Sequence, residues 1–220
     1  MVTDEQYKLM LRHLDMVIEL NKTTNLTRID SREEGKLLHI DDSLAALEEI
    51  QKAPDGRMGD MGTGAGYPGI PLAIATGRST TLIDARKKKA DLLETMIDEL
   101  GLSEQVDVFC GRAELLARSA PLEFSVLTAR ALSKMSVLME LASPLLSNGG
   151  ILVCYKAHVD KDEYDNAKRV QPLTGMQFIS DREVRLDGTP MERRIICFKK
   201  VAKPEAKLPR KEGMAQKHPL

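Results

Sequence analysis

The chain has only three cysteines, Cys110, Cys154 and Cys197, in 220 residues. They are too few and too scattered for a disulfide framework. Each lies in an apolar, strand-like run, so all three are expected to be buried free thiols. No apolar run approaches the roughly 20 residues that a membrane-spanning helix needs. The N-terminal stretch MVTDEQYKLM is polar and acidic and lacks the apolar segment of a secretory signal. The expectation is a cytoplasmic protein with no membrane association. Neither sign of charge is in excess. The formal net charge is −1, so any grip on nucleic acid must come from a local basic patch. His13, His39, His158 and His218 stand far apart without metal-ligand spacing, so no metal is expected. What is present, 42% hydrophobic and 30% charged residues, suits one large domain with a real core.

The pattern along the chain changes once. Thr3 and Gln6 fit a capping box ahead of Tyr7, Met10, Leu11, Leu14, Val17 and Ile18, which share helical spacing. Ser31 and Glu34 fit a second one, and SLAALEEI continues as helix. From about residue 55 strands and helices alternate. RMGDM, TTLIDA, VDVFC, FSVLTA and ILVCYKA read as strands. Residues 68–76, KKKADLLETMIDELG, AELLAR, SKMSVLMELASPLL and DKDEYDNAKRV read as helices. That alternation predicts a parallel sheet with helices on both faces. MQFISDREVRL and RRIICFKKV read as two last strands joined by the short DGTPME link, so they must pair antiparallel. The expected division is an N-terminal helical subdomain at 1–54, an α/β domain at 55–201 and a loose basic tail at 202–220.

The densest signal is DMGTGAGYPGIP at residues 60–71, with four glycines and two prolines. Glycine admits φ > 0 and close approach of backbone to a ligand, and proline suits a first helical turn. The segment therefore reads as a loop that brings a helix N-terminus to a ligand. It parses two ways. Gly62, Gly64 and Gly66 give the G-x-G-x-G common in S-adenosylmethionine sites. Gly64, Gly66 and Gly69 give the G-x-G-x-x-G of dinucleotide sites. Asp84, at the end of the second strand, is placed to accept ribose hydroxyls of either ligand. The antiparallel last strand is the usual ending of the seven-stranded methyltransferase sheet. Asp60, just ahead of the loop, suits a cationic methionine moiety better than a pyrophosphate. Both features favour a methyltransferase over a dehydrogenase.

Further absences narrow the methyl acceptor. There is no Asp/Asn-Pro-Pro-aromatic motif, which argues against an exocyclic adenine amine. There is no Pro-Cys pair, which lowers the case for a cysteine nucleophile on a pyrimidine. No general-base constellation stands out. An acceptor that already carries a free lone pair, such as guanine N7, needs only to be bound and aligned.

Taken together, DMGTGAGYPGIPLAI, NKTTNLTRI (21–29), LLHIDDSL (37–44), GRAELL (111–116), TARALSKMSVLMELASPLL (128–146), YKA (155–157) and LPRKEGMAQKHPL (208–220) resemble the bacterial 16S ribosomal RNA guanine-N7 methyltransferase family, known as RsmG or GidB. The resemblance runs in order through nearly the whole chain. It implies a class I S-adenosylmethionine-dependent methyltransferase fold, Rossmann-like, with an N-terminal helical extension. It implies methyl transfer from S-adenosylmethionine to one guanine N7 of 16S rRNA, in the naked RNA or the small ribosomal subunit. It places Gly62 and Tyr67 against the cofactor, Ala113 and Glu114 at its adenine, and Arg130 at the junction of cofactor and substrate. The sequence departs from the family where Leu20 replaces a frequent tryptophan, where Tyr67 replaces Phe or Leu, and where the tail reads LPR and GMA for the common YPR and GTP.

The candidate cofactor set is thus Gly62, Gly64, Gly66, Tyr67, Asp84, Ala113, Glu114 and Arg130. Arg130 also follows a strand expected to end at the ligand-binding edge of the sheet, and it is the candidate catalytic residue. Lys207, Arg210, Lys211 and Lys217 in the tail are the candidate RNA contacts, and the run Arg86-Lys87-Lys88-Lys89 is a second basic patch. Monomeric action is expected. A methyltransferase for a small molecule or protein, and a nucleotide or S-adenosylmethionine sensor without chemistry, are the competing readings.

Overall fold

Thr3 caps the first helix from both sides. Its Oγ1 accepts the Gln6 amide at 3.2 Å, and Gln6 Oε1 accepts the Thr3 amide at 2.9 Å. Helix α1 (Asp4–Thr24) follows and ends at Asn25, which takes the left-handed conformation with φ 51°. Asn21 Oδ1 accepts the Thr27 amide at 3.0 Å and fixes the turn after it. The computed structural model describes residues 2–186 and 191–220. Most of the DGTPME link lies outside them.

The remaining N-terminal helices are short. They are α2 (Arg32–Gly35), a π-helix (Lys36–Asp41), α3 (Asp42–Leu44) and α4 (Leu47–Lys52). They have no core of their own. Met10, Leu14, Val17 and Ile40 join one buried cluster with Ile70, Leu82, Leu93 and Met96 from the α/β part. The boundary near residue 54 is a change of secondary structure within a continuous core.

Strands and helices then alternate as β1 (Arg57–Met61), α5 (Gly69–Thr76), β2 (Thr80–Asp84), α6 (Lys87–Leu100), β3 (Val106–Cys110), α7 (Ala113–Ser119), β4 (Phe124–Arg130), α8 (Met135–Ala142), β5 (Leu146–Lys156) and α9 (Lys161–Thr174). β6 (Met176–Arg185), β7 (Glu192–Lys200) and α10 (Met214–Lys217) complete the chain. The seven strands form one sheet in the order β3-β2-β1-β4-β5-β7-β6. β1 to β5 are parallel, and β7 runs antiparallel to both β5 and β6. The order reverses at β1 and β4, so the carboxyl ends of those strands flank the crevice where such sheets bind ligands.

Three expectations need correction. Helix α8 stops at Ala142 and β5 already begins at Leu146. Pro144 cannot extend the helical ladder, and the Asn148-Gly149-Gly150 stretch lies inside the strand, at the register shift opposite Phe124–Val126. Only Cys154 and Cys197 are buried, while Cys110 is exposed because it ends the edge strand β3. The C-terminal segment is not loose. Ala215 is 1% exposed, and Arg210 Nε and NH2 reach both Glu140 oxygens at 2.6 and 2.7 Å. Its mixed polar sequence has no helical period because its anchors are single residues and not a stripe. No helix among the described residues is long and apolar enough to cross a membrane.

Candidate active site

β1 delivers the glycine loop. Gly62 and Thr63 donate their amides to Ile83 O at 2.8 and 3.2 Å, which ties the loop to the end of β2. Gly64 has φ 64°, a conformation that L side chains adopt at a cost. A Cβ built on it would meet nothing nearer than Lys89 Nζ at 3.8 Å, so bare backbone faces open space.

That space is a cavity of about 510 Å³. Gly62, Gly64, Tyr67, Asp84, Ala113, Glu114 and Arg130 all line it, and Arg130 joins it to the N-terminal helices through Leu38 and Asp42. Gly66 stands behind the wall, where a Cβ would strike Ile70 and approach His13. Among the expected cofactor residues the structure therefore gathers all but Gly66 at one surface.

Asp84 is 7% exposed. Its Oδ2 accepts the Gly64 amide at 3.2 Å and its Oδ1 accepts the Arg86 amide at 2.9 Å. Each carboxylate oxygen can accept more than one hydrogen bond, so the residue can brace the loop and still face a ligand hydroxyl. Asp60 does different work from that expected of it. It is fully buried; its Oδ2 accepts the Gly69 amide at 2.9 Å and its Oδ1 accepts the Thr128 hydroxyl at 2.8 Å. It fastens the start of α5 to β1 and β4 and does not line the cavity. Burial pushes its pKa up.

Tyr67 is buried between two imidazoles. Its ring stacks on His39 with centroids 4.3 Å apart and lies 4.5 Å from that of His13. The Arg130 guanidinium sits 5.7 Å above its centroid, within cation–π range. The Tyr67 hydroxyl has no hydrogen-bond partner among the described residues. Burial drives the His13 pKa down to about 4. Burial first, and then the Arg130 and His13 charges, drive His39 down to about 3. Both imidazoles are neutral near pH 7.

Arg130, at the last position of β4, is held on several sides. Its NH1 donates to Leu38 O at 2.9 Å and to Asp42 Oδ2 at 2.8 Å, and its NH2 lies 3.5 Å from His39 Nδ1. Asp42 is 3% exposed and also accepts Arg193 Nε at 2.8 Å. The π-helix makes this possible by carrying His39 to the cavity and placing Asp42 just beyond its end. Ala131 follows with φ 53°. Arg130, Ala131 and His39 form a wall shared with a second cavity of about 430 Å³, which Tyr155, Lys156, His158 and Arg193 also line.

Several lining residues were not anticipated. Lys89 lies in the recognised basic run, but only its spacing from Leu93 and Met96 could single it out as the inward member. It reaches toward Leu26 O at 3.4 Å, and burial lowers its pKa. Leu26, Thr27 and Gln216 also line the cavity, and no local pattern marks them. The expected RNA contacts divide. Arg210 points inward to Glu140, whereas Lys207, Lys211 and Lys217 are exposed.

A parallel sheet ending in an antiparallel strand, with a glycine loop, a β2 carboxylate and a cavity at the switch point, is the arrangement of the class I S-adenosylmethionine-dependent methyltransferase fold. Solved structures share this fold. An O-methyltransferase from Bacillus cereus in complex with SAH matches with a TM-score of 0.57 at 19% identity, over 85% of this chain and 90% of that one. The [4+2]-cyclase SpnF matches with a TM-score of 0.60 at 15% identity, over 92% and 98%. Fold alone therefore does not fix the reaction.

Sequence relatives go further. The profile of the family described as rRNA small subunit methyltransferase G matches residues 6–184. Ribosomal RNA small subunit methyltransferase G of Lactobacillus helveticus is 35% identical over 100% of this chain and 93% of its own length. The protein of the same name from Alkaliphilus oremlandii is 32% identical over 100% and 92%. The chain belongs to the rRNA small subunit methyltransferase G family, and its cofactor is S-adenosylmethionine.

Proposed function

We propose that the chain moves a methyl group from S-adenosylmethionine to N7 of one guanine in 16S rRNA of the small ribosomal subunit, as a cytoplasmic monomer. The cofactor fits the first cavity by its chemistry. Gly64 leaves bare backbone for the methionine portion to lie on. Asp84 offers acceptors to ribose hydroxyls, and Ala113 marks the adenine end. When bound, S-adenosylmethionine supplies an electrophilic methyl on a sulfonium. The chain's own work is to bind, orient and exclude water.

The observation that carries N7 is the state of the groups around the Arg130 wall. A base for an N–H acceptor should have a pKa near the working pH. His39 is held far below that, with Nε2 beside the Thr27 hydroxyl at 3.1 Å and Nδ1 beside Arg130. Asp42 is shared by two arginines. Lys156 Nζ is bound to Glu163 at 2.7 Å and donates to Ser133 O at 3.2 Å. Guanine N7 has no proton to lose, so attack needs only alignment. Arg130 stays protonated and acts as a positioning group between the two cavities.

The test is incubation with labelled S-adenosylmethionine and small-subunit RNA lacking the modification, followed by mapping of the labelled base. Label on guanine N7 is expected, and label on an exocyclic amine or ring N–H would overturn the assignment. His158, exposed at the rim of the second cavity, provides a control. Methylation by His158→Ala should match the parent across about pH 6 to 9, because no base is required. A large loss would show that a proton is being removed.

A further inference from the structure

Glu114, expected at the adenine, lines the cavity and also holds the C-terminal segment. Its Oε1 accepts the Gly213 amide at 2.7 Å, and the side chain is buried beneath the C-terminal segment. That segment is fixed at several points. Arg210 makes its paired bonds to Glu140, which is 3% exposed, and donates to His218 O at 2.7 Å. Arg118 NH2 donates to Arg210 O at 3.1 Å. Gly213 turns the chain with φ 73°, and Ala215 then enters the main core cluster. The result is that Gln216 is delivered to the wall of the cofactor cavity, beside Arg112 and Ala113.

We infer that Gln216 is a cofactor-binding residue whose carboxamide reads the edge of the adenine of S-adenosylmethionine. The inference rests on the proposed orientation, with the ribose at Asp84 and the adenine toward Ala113. Adenine presents an amino donor at N6 next to an acceptor nitrogen. A primary amide carries the complementary acceptor and donor side by side, the geometry by which Gln and Asn bind adenine bidentately. Glu114 as a carboxylate can only accept, and one of its oxygens already holds Gly213. Gln216 is free to turn to a ligand. Its Oε1 has Arg112 NH1 at 3.4 Å, at the long limit for a hydrogen bond and easily exchanged. The C-terminal segment is thereby a wall of the cofactor site as well as a carrier of exposed lysines.

The experiment is calorimetry of S-adenosylhomocysteine binding to the full-length parent and to Gln216→Ala, with limited trypsin digestion of the parent alongside. Gln216→Ala should bind about five- to tenfold more weakly, the range for one or two lost hydrogen bonds, with an unchanged melting temperature. In the parent, S-adenosylhomocysteine should slow cleavage after Lys211 and Lys217, a readout that needs no variant to fold. Parent-like affinity in Gln216→Ala, or cleavage unaffected by ligand, would overturn the inference while leaving the cofactor assignment standing. A parent chain that does not bind S-adenosylhomocysteine would overturn both.

Discussion

The imidazole of His39 and the phenol ring of Tyr67 lie face to face, with planes 6° apart. The stack joins the π-helix to the glycine loop, so the N-terminal helices shape the loop proposed to carry the cofactor. The Tyr67 hydroxyl adds nothing to this, being buried without a partner among the described residues. Tyr67→Phe should therefore melt no lower than the parent and gain up to about 1 kcal/mol, since an unsatisfied buried polar group is removed. Tyr67→Ala leaves a cavity between two imidazoles and should lose about 3–5 kcal/mol, the usual range for a buried aromatic. Urea unfolding of the three proteins decides the matter, and a destabilised Tyr67→Phe would mean the hydroxyl has a partner.

Gly64 separates space from conformation. An alanine Cβ has room, with 3.8 Å to the nearest atom, so Gly64→Ala should pay only the left-handed backbone penalty of about 1–2 kcal/mol. Gly64→Val adds a branched side chain at φ 64° on the cofactor surface and should abolish S-adenosylmethionine binding. Calorimetry showing parent affinity in folded Gly64→Val would remove this loop from the site.

Arg130→Lys keeps the charge and loses the fork. A single ammonium cannot reproduce the bonds to Leu38 O and Asp42 while covering Tyr67. The expected outcome is a fall of about tenfold or more in single-turnover methylation at saturating cofactor and RNA, with the fold intact because Asp42 retains Arg193. Turnover equal to the parent's would deny Arg130 its positioning role.

The two buried histidines set the acid limb of stability. Their ordinary value is 6.5, and in the fold they sit at about 4 and about 3. Between those values and 6.5 the unfolded chain binds more protons, so stability is lost as pH falls below 6.5. Each histidine contributes a slope of up to about 1.4 kcal/mol per pH unit. His13→Gln should flatten the dependence by roughly one proton. Unfolding midpoints measured from about pH 4.5 to 7.5 would show it, and an unchanged slope would contradict the burial of His13.

The exposed tail lysines remain available for phosphate. Replacing Lys207, Lys211 and Lys217 with alanine should weaken RNA binding and reduce its log–log salt slope by roughly 0.7–0.9 per lost contact. Cofactor affinity should hold. An identical salt slope would make these lysines a solvated surface.

Much of the fold was legible because its signals are local. The Thr3 cap, the strand VDVFC and the glycine at 101 that ends α6 each depend on a few neighbouring residues, and all three stand where the sequence puts them. The position of the glycine loop between β1 and α5, and of Asp84 at the end of β2, was legible for the same reason. The π-helix was not, since its geometry serves Arg130, far away in sequence. The roles of Asp60 and Arg210 were equally hidden. Each carries a charge that reads as ligand-facing, and each is turned inward by a partner, Gly69 or Glu140, that only the folded chain supplies.

The cavity proposed for the cofactor draws on residues from Leu26 to Gln216. A nascent chain emerging from the ribosome makes its N-terminal helices first, yet they find no core until α5, β2 and α6 have followed. The wall formed by Gln216 follows β7, the last strand among the described residues. A chain cut short before Gln216, even with every strand in place, would leave that cavity open.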